Sequence, residues 1–301
     1  MPNKKKKLTL DLVEHQIQYL PLLPAVVCDL LNLDQDSDNF YEKLTELTIT
    51  DPPLAARVLT IANSASTAPT TPITNIKEGL IRVGLKTILS LITTISVAKI
   101  FVPAKPEHKA IWQHSLETAV FAKFIAQKLT AFKIDPEQAY TCGLLHDIGR
   151  LTLFAISAKA IEVIDGKGWD TPIELPQVER KILGFTHAEV GYLAAHKWQL
   201  PKILQNLIRY HHSYNIAQKE NVPTELVNLV ILTQYADLLS VFVEKNTDWG
   251  QWDKEDLKKE IESQCFHKDW PQINFPIDEI IEALPYLTDE VNRIMKNLRI
   301  A

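Results

Sequence analysis

The stretch CGLLHDIGRLTLF, Cys142 to Phe154, places a histidine and an aspartate side by side within an otherwise apolar segment. Its spacing predicts one helix over about Asp135 to Ile156. Adjacent residues of a helix differ in direction by about 100°, so at least one of His146 and Asp147 must meet apolar surroundings. A carboxylate removed from water needs a cation or strong hydrogen bonds to compensate it. The pair therefore indicates either metal or catalytic chemistry, or polar residues at the edge of a core.

Three other ionisable residues are predicted to face the same kind of interior. His114, His211 and Asp237 each lie on the apolar side of a predicted helix, in line with apolar or threonine residues at helical spacing. His212 follows His211 directly and belongs to the same set of candidates.

A capping box, Thr186 to Glu189, places His187 in the first turn of its helix. The positive pole of the helix dipole is expected to disfavour the protonated imidazolium at this position. His187 is therefore expected to be neutral, with a lone pair free for a metal ion.

Together these side chains predict a metal site, although each also has a structural explanation. Histidine nitrogens and aspartate oxygens without a thiolate suit iron, manganese, zinc or nickel. Taken singly, a histidine on an apolar face can instead be a core residue bonded to a carbonyl, and the pair His211–His212 also fits a helix end. Four further histidines are interpreted as solvated or structural: His15, His108, His196 and His267.

The chain is predicted to be all-α. Its 301 residues include only 9 glycines, and apolar residues recur at helical spacing with no run of alternating strands. A segment with two prolines, 102–108, marks a boundary. We expect an N-terminal helical bundle over 1–103, a metal-binding helical part over 104–245, and a C-terminal helical extension over 246–301 that packs on the body.

Composition argues against several functions. The net charge is −5 and the concentrated basic run is confined to Lys4–Lys7, so no nucleic-acid partner is expected. The N-terminal segment lacks the features of a secretory signal. The most apolar segment, from Ile88, meets Lys99 before it reaches the roughly 20 residues of a membrane span. The three cysteines form no CxxC pair, which fits a reducing compartment. We expect a cytoplasmic protein without a membrane partner.

The ordered set His114, His146–Asp147, His187, His211–His212 and Asp237 resembles the metal-dependent HD-domain superfamily. In that family a first histidine, a His-Asp doublet and a distal aspartate hold a metal ion, and further histidines build a second site in binuclear members. The resemblance implies two divalent ions (Fe, Mn, Zn or Ni) bridged by Asp147. His114, His146 and Asp237 would complete one site, and His187, His211 and His212 the other.

Segments outside this set narrow the resemblance to HDOD proteins, the HD-related output domains of bacterial signalling. LPLLPAVVCDLLNL, TITDPPLAARVLTIANSAS and TNIKEGLIRVGLKTILSL are similar to the N-terminal part of that family, and WQHSLETAVFA, LGFTHAEVGYLAAHKWQLP and IRYHH to its second half. The resemblance covers about 20–240. It implies an all-α fold, a cytoplasmic bacterial setting and a role in signal output, with an unknown signalling protein as partner.

Departures from related patterns limit the expected chemistry. The histidine pair runs into Ser213-Tyr214-Asn215 instead of the Gly-Tyr-Pro of cyclic di-GMP phosphodiesterases, so hydrolysis of cyclic di-GMP is not expected. Ala110 stands where some of those enzymes carry a ligand for a third metal. Arg150 replaces a usual lysine, keeps its positive charge and could grip a phosphate through two hydrogen bonds.

Two functions stay open at this stage. The first is a metal-dependent phosphohydrolase acting on a phosphoester, a nucleotide or cyclic nucleotide, with Asp147 and Arg150 as catalytic residues. The second is a non-catalytic HDOD module that acts through protein contacts.

Overall fold

The computed structural model describes residues 8–20, 25–34, 37–50, 52–63, 73–101 and 106–298. Within these ranges the chain forms helices and no strand, which confirms the predicted all-α class. The basic run Lys4–Lys7 and most of the predicted boundary segment lie outside the described residues. The α-helices of the described ranges are α1 (Leu10–Ile17), α2 (Ala25–Asn32), α3 (Asp38–Thr50), α4 (Pro52–Ala62), α5 (Ile76–Val83), α6 (Leu85–Ile100), α7 (Pro106–Lys128), α8 (Pro136–Leu145), α9 (Ile148–Asp165), α10 (Leu175–Ile182), α11 (His187–Lys197), α12 (Lys202–Tyr210), α13 (Thr224–Lys245), α14 (Lys254–Gln264) and α15 (Ile277–Asn297).

The helices group into two compact units that do not follow chain order. One unit comprises the described parts of 1–20, 101–197 and 202–301, and the other comprises the described parts of 21–100 with 198–201. Both α1 and the C-terminal helices therefore belong to the unit that contains the His-Asp doublet. The predicted boundaries after residues 103 and 245 stay a prediction.

In the smaller unit, α2 to α6 pack around an apolar core. Asn75 caps α5, because its side chain accepts hydrogen bonds from the backbone of the first turn. Gly84 has a φ of 91°, a conformation that favours glycine, and α5 and α6 bend there by 99°. The buried members of this core are Val27, Leu30, Phe40, Leu44, Val58, Leu80, Ile88, Leu89 and Ile92.

In the larger unit, α7 packs against α8, α13 and α15, and α11 packs against α9 and α12. Helix α13 is long and apolar enough to cross a membrane by composition alone, but 89% of its most apolar window is buried inside the protein. It is the core helix of this unit. The three cysteines are buried.

Two glycines allow the helices around the doublet to approach closely. A Cβ atom on Gly143 would lie 2.7 Å from the carbonyl oxygen of Thr118 in α7. A Cβ atom on Gly149 would lie 1.9 Å from the carbonyl oxygen of His187 and 2.7 Å from the backbone nitrogen of Gly191 in α11. The positions on both sides of His146–Asp147 therefore require glycine, because backbone occupies the space that a side chain would need.

Candidate metal centre

The His-Asp doublet lies in a junction between two helices, so the predicted continuous helix over Asp135 to Ile156 is wrong. Helix α8 ends before His146, and Asp147 leaves the helical conformation with φ −98° and ψ 19° before α9 begins. The close contact of Gly149 with α11 gives a physical reason, since it sets the direction of α9 by packing. The break lets both side chains of the doublet reach one cluster, which a regular helix would prevent.

Two imidazole rings lie against one oxygen of Asp147, and a third ring, that of His212, contacts one of them. His187 Nε2 lies 3.0 Å from Asp147 Oδ1, 3.1 Å from His211 Nε2 and 3.0 Å from His212 Nε2. His211 Nε2 lies 3.4 Å from the same oxygen. One ligand atom from each of these four residues falls within 4.8 Å of the others. The structure therefore brings together the residues predicted for one metal ion.

The first histidine and the doublet form a second group that shares Asp147. His114, His146 and Asp147 each offer a ligand atom within 4.8 Å of the others. His146 Nε2 lies 3.8 Å from Asp147 Oδ1, and His114 Nε2 lies 3.9 Å from Asp147 Oδ2. Asp237, from the middle of α13, places its Oδ1 3.3 Å from His114 Nε2. The predicted set for the other metal ion therefore also converges.

Backbone carbonyls hold two of these rings from behind. His146 Nδ1 donates to the carbonyl oxygen of Gly143 at 2.7 Å, and His211 Nδ1 donates to that of Ile208 at 2.7 Å. A carbonyl oxygen only accepts, so each Nδ1 must carry the proton. In the neutral ring, Nε2 is then unprotonated and directs its lone pair into the cluster. This is the tautomer that binds a metal ion through Nε2.

Side chains hold two other rings in the same way. His114 Nδ1 lies 3.0 Å from Ser240 Oγ, and His187 Nδ1 lies 2.7 and 2.8 Å from the two carboxylate oxygens of Glu179. Glu179 also accepts the backbone N–H of His187 at 2.9 Å and is fully buried. Glu179 is a candidate site residue that the sequence alone did not indicate, because the helix that carries it, α10, was not among the predicted helices. Apolar residues at helical spacing, Leu175, Val178 and Ile182, were the available signal.

The charges of the rings differ from the expectation for His187. Burial lowers the pKa of this imidazole, but Glu179 and Asp147 outweigh it and raise its pKa to about 10. The predicted neutral ring is therefore wrong for this arrangement of charges, because two carboxylates act more strongly than one helix terminus. Burial also lowers the pKa of His114, and Asp237 overcomes it and raises the pKa to about 9. Burial lowers the pKa of His146 to about 4. A metal ion would have to displace a proton from the rings of His114 and His187, whereas His146 would already be neutral.

Hydrogen bonds within the described part of the protein do not satisfy every polar atom of the cluster. His146 Nε2 and Asp147 Oδ1 are buried and have no well-oriented hydrogen-bond partner among the described residues, and the same holds for His212 Nδ1. Lone pairs on facing Nε2 atoms about 3 Å apart repel unless a proton or a cation lies between them. A divalent cation would satisfy the ring nitrogens and the charge of Asp147 together, so the donor set fits a metal ion.

We expect Glu179→Gln to weaken metal binding by about 10- to 100-fold, the usual effect of removing a carboxylate that orients a ligand histidine. The amide keeps the size of the side chain but can turn its NH₂ group toward the ring. Competition with a chromophoric chelator for Zn²⁺ would measure the change. Glu162→Gln, an exposed position on α9, is the matched control, and equal affinity for both variants would contradict the assigned role.

Part of the cluster, with His114, Asp147, His212 and Asp237, lines a cavity of about 410 Å³. Arg150 lines it, with Nη2 bonded to the two carboxylate oxygens of Asp165 at 2.9 and 3.1 Å and Nε 3.8 Å from Asp147 Oδ2. Its Nη1 is buried without a hydrogen-bond partner in the described part of the chain. The predicted contact of Arg150 with a phosphate stays a prediction. The other residues that line the cavity are Ala110, Ile111, Gly168, Trp169, Pro172, Leu175, Val241, Glu244 and Lys245.

Comparison with known proteins gives one family and a common fold. A family model of the HDOD domain matches residues 20–214. An uncharacterized protein of Treponema pallidum (strain Nichols) is 24% identical over 239 residues, which are 79% of this chain and 45% of that protein, so the chain spans less than half of its length. The crystal structure of an HDOD domain protein with unknown function from Geobacter sulfurreducens has a TM-score of 0.67 at 23% identity, covering 93% of this chain and 96% of that one.

A second crystal structure, from Shewanella amazonensis SB2B, belongs to a protein that its name proposes to be a phosphohydrolase. It has a TM-score of 0.66 at 23% identity, covering 93% of this chain and 97% of that one. At this level of identity both structures confirm the fold alone. The family model matches more than half of the sequence, and the chain belongs to the HDOD domain family.

Proposed function

We propose that this protein is a metal-dependent phosphohydrolase that binds two divalent ions and acts in bacterial signal output. One observation carries the proposal. Five imidazoles direct Nε2 atoms, and Asp147 its carboxylate, toward one region that borders a cavity at His114, Asp147 and His212, and partners behind four of the rings fix their orientation. Burying these polar and charged groups together destabilises the folded protein unless a bound cation compensates them.

The ligands divide into two sets that share Asp147. His114, His146 and Asp237 would complete one set, and His187, His211 and His212 the other. When bound, two divalent ions would lower the pKa of a shared water molecule and neutralise charge that develops on a phosphoryl group. Nitrogen and carboxylate ligands are compatible with Fe, Mn, Zn or Ni.

The side chains above the cluster support a phosphoester as substrate. Asp165 holds the Arg150 guanidinium in place at the cavity wall, where its positive charge would attract a phosphate group. Trp169 donates from Nε1 to Asp165 at 3.2 Å and offers an aromatic face at the same wall. An aromatic face beside a phosphate-binding cation suits a nucleotide or cyclic nucleotide.

A second candidate is a non-catalytic HDOD module that acts through contact with a signalling protein. The carboxylates of Asp165, Asp237 and Glu244 line the cavity and oppose the entry of an anion when no cation neutralises them. In that case a bound metal ion would stabilise the helices around Asp147 without turnover.

The two candidates are separated by metal analysis and an activity panel. Protein purified without chelator, then supplied with Mn²⁺ or Fe²⁺, is expected to hold about two ions per chain and to hydrolyse at least one nucleotide or cyclic nucleotide. Treatment with a chelator should abolish that activity, and Mn²⁺ should restore it. Two bound ions with no turnover on any phosphoester would favour the non-catalytic module.

A further inference from the structure

A buried hydroxyl links the first histidine of the site to a carboxylate outside the ligand set. Ser240 lies one turn after Asp237 on α13, and its Oγ is 3.0 Å from His114 Nδ1. The same hydroxyl donates to Glu117 Oε2 at 2.7 Å. Gln113 Nε2 donates to the other carboxylate oxygen of Glu117 at 2.8 Å. A chain of hydrogen bonds therefore runs from Glu117 through Ser240 to the ring of His114.

The direction of these bonds determines which nitrogen of His114 keeps its proton when the ring is neutral. A serine hydroxyl has one hydrogen to donate, and Ser240 gives it to Glu117. Ser240 Oγ can then only accept, so His114 Nδ1 must be the donor. The opposite nitrogen, Nε2, faces Asp237 at 3.3 Å and Asp147 at 3.9 Å.

The burial of the Glu117 carboxylate is expected to lower the stability of the folded protein, which suggests that the residue has another role. Its side chain is 4% exposed, and its two hydrogen-bond donors, Gln113 and Ser240, are neutral. Burial raises the pKa of Glu117, which shows that its environment disfavours the carboxylate. A glutamine or an apolar side chain would fill the space at lower cost.

We propose that Glu117, acting through Ser240, is a positioning residue that holds the His114 ring with Nδ1 protonated and Nε2 directed into the metal cluster. Neither residue belongs to the ligand set. The effect on metal affinity rests on the proposed function, whereas the orientation of the ring can be measured without any metal ion.

Four variants of the full chain test this inference by Zn²⁺ competition with a chelator. Ser240→Ala is expected to weaken Zn²⁺ binding by about 10- to 100-fold, and Glu117→Gln to weaken it in the same direction. The double variant should be no weaker than Ser240→Ala alone, because Glu117 acts through the hydroxyl. Ser115→Ala is the matched control, since Ser115 is also buried but donates to the backbone of its own helix at Ile111.

A second measurement detects the hydrogen bond itself. In the metal-free protein, proton NMR should show the Nδ1–H of His114 as a slowly exchanging ring proton, because it is bonded to a buried acceptor. The signal should disappear in Ser240→Ala and persist in Ser115→Ala, with assignment by its absence from His114→Gln. A role of Ser240 limited to packing would not change this signal selectively.

The outcomes separate the two proposals. Loss of the ring proton together with weaker Zn²⁺ binding in Ser240→Ala, and no further loss in the double variant, is the expected result. Three results would overturn the positioning role. They are an unchanged ring proton in Ser240→Ala, additive losses of Zn²⁺ affinity in the double variant, and equal Zn²⁺ affinities of Ser240→Ala and Ser115→Ala. A parent protein that binds no Zn²⁺ would refute the proposed function, and the ring proton would still decide whether Ser240 positions His114.

Discussion

Asp147→Asn is expected to remove both metal ions and to lower phosphohydrolase activity by more than about 100-fold, which exceeds the usual effect of losing a partner behind a ligand. Asp147 is the residue common to both ligand groups. Burial tends to raise the pKa of its carboxyl, but the charge of His187 outweighs it and holds that pKa well below its usual range. Asparagine keeps the volume and removes the anion that the cations share.

Metal content per chain, measured by atomic emission after desalting, would test this prediction. Asp170→Asn is the matched control, because the Asp170 side chain is 92% exposed and makes its contact with Lys245 outside the cluster. Circular dichroism should show helical structure in both variants. If Asp147→Asn retains two ions, the assignment of Asp147 as the shared ligand is wrong.

Gly149→Ala is expected to cause the largest loss of stability among single methyl additions in the larger unit. The new Cβ atom would stand 1.9 Å from the carbonyl oxygen of His187 and 2.7 Å from Gly191 N. Both obstacles are backbone atoms, so relief requires α9 and α11 to move apart. Forced overpacking of this kind costs about 3 kcal/mol or more. The same movement would carry His187 away from Asp147, so metal affinity should fall with stability.

Thermal unfolding followed by circular dichroism measures this effect. Gly250→Ala is the control, since no heavy atom lies within 4 Å of its added Cβ. We expect a lower midpoint, or failure to accumulate as soluble protein, for Gly149→Ala alone. Equal midpoints for the two variants would show that α9 does not depend on close contact with α11.

Residue patterns predicted the parts of this site that depend on one helix face. His114 and Asp237 lie on the inward side of α7 and α13 as their spacing indicates. The capping box also forms, since Thr186 N–H donates to Glu189 Oε2 at 2.7 Å and Glu189 N–H to Thr186 Oγ1 at 3.3 Å. These features are local, so spacing and side-chain chemistry suffice to predict them.

Other parts of the site depend on contacts between segments that are distant along the chain. Local sequence patterns could not predict them. The break between α8 and α9 has no proline to mark it and lies beside Gly149, which packs directly against the backbone of α11. The high pKa of His187 depends on Glu179, which reaches it from another helix. The partners of His114 on α13 are equally distant along the chain. Tertiary packing determines all three.

The most direct test of the proposed metal centre is anomalous X-ray scattering from crystals of the full chain soaked in Zn²⁺. The two-ion site predicts two anomalous peaks, each about 2.0–2.2 Å from Nε2 atoms and carboxylate oxygens, with Asp147 in contact with both. The absence of any peak between His114 and His212, or rings whose Nε2 atoms point away from Asp147, would contradict it.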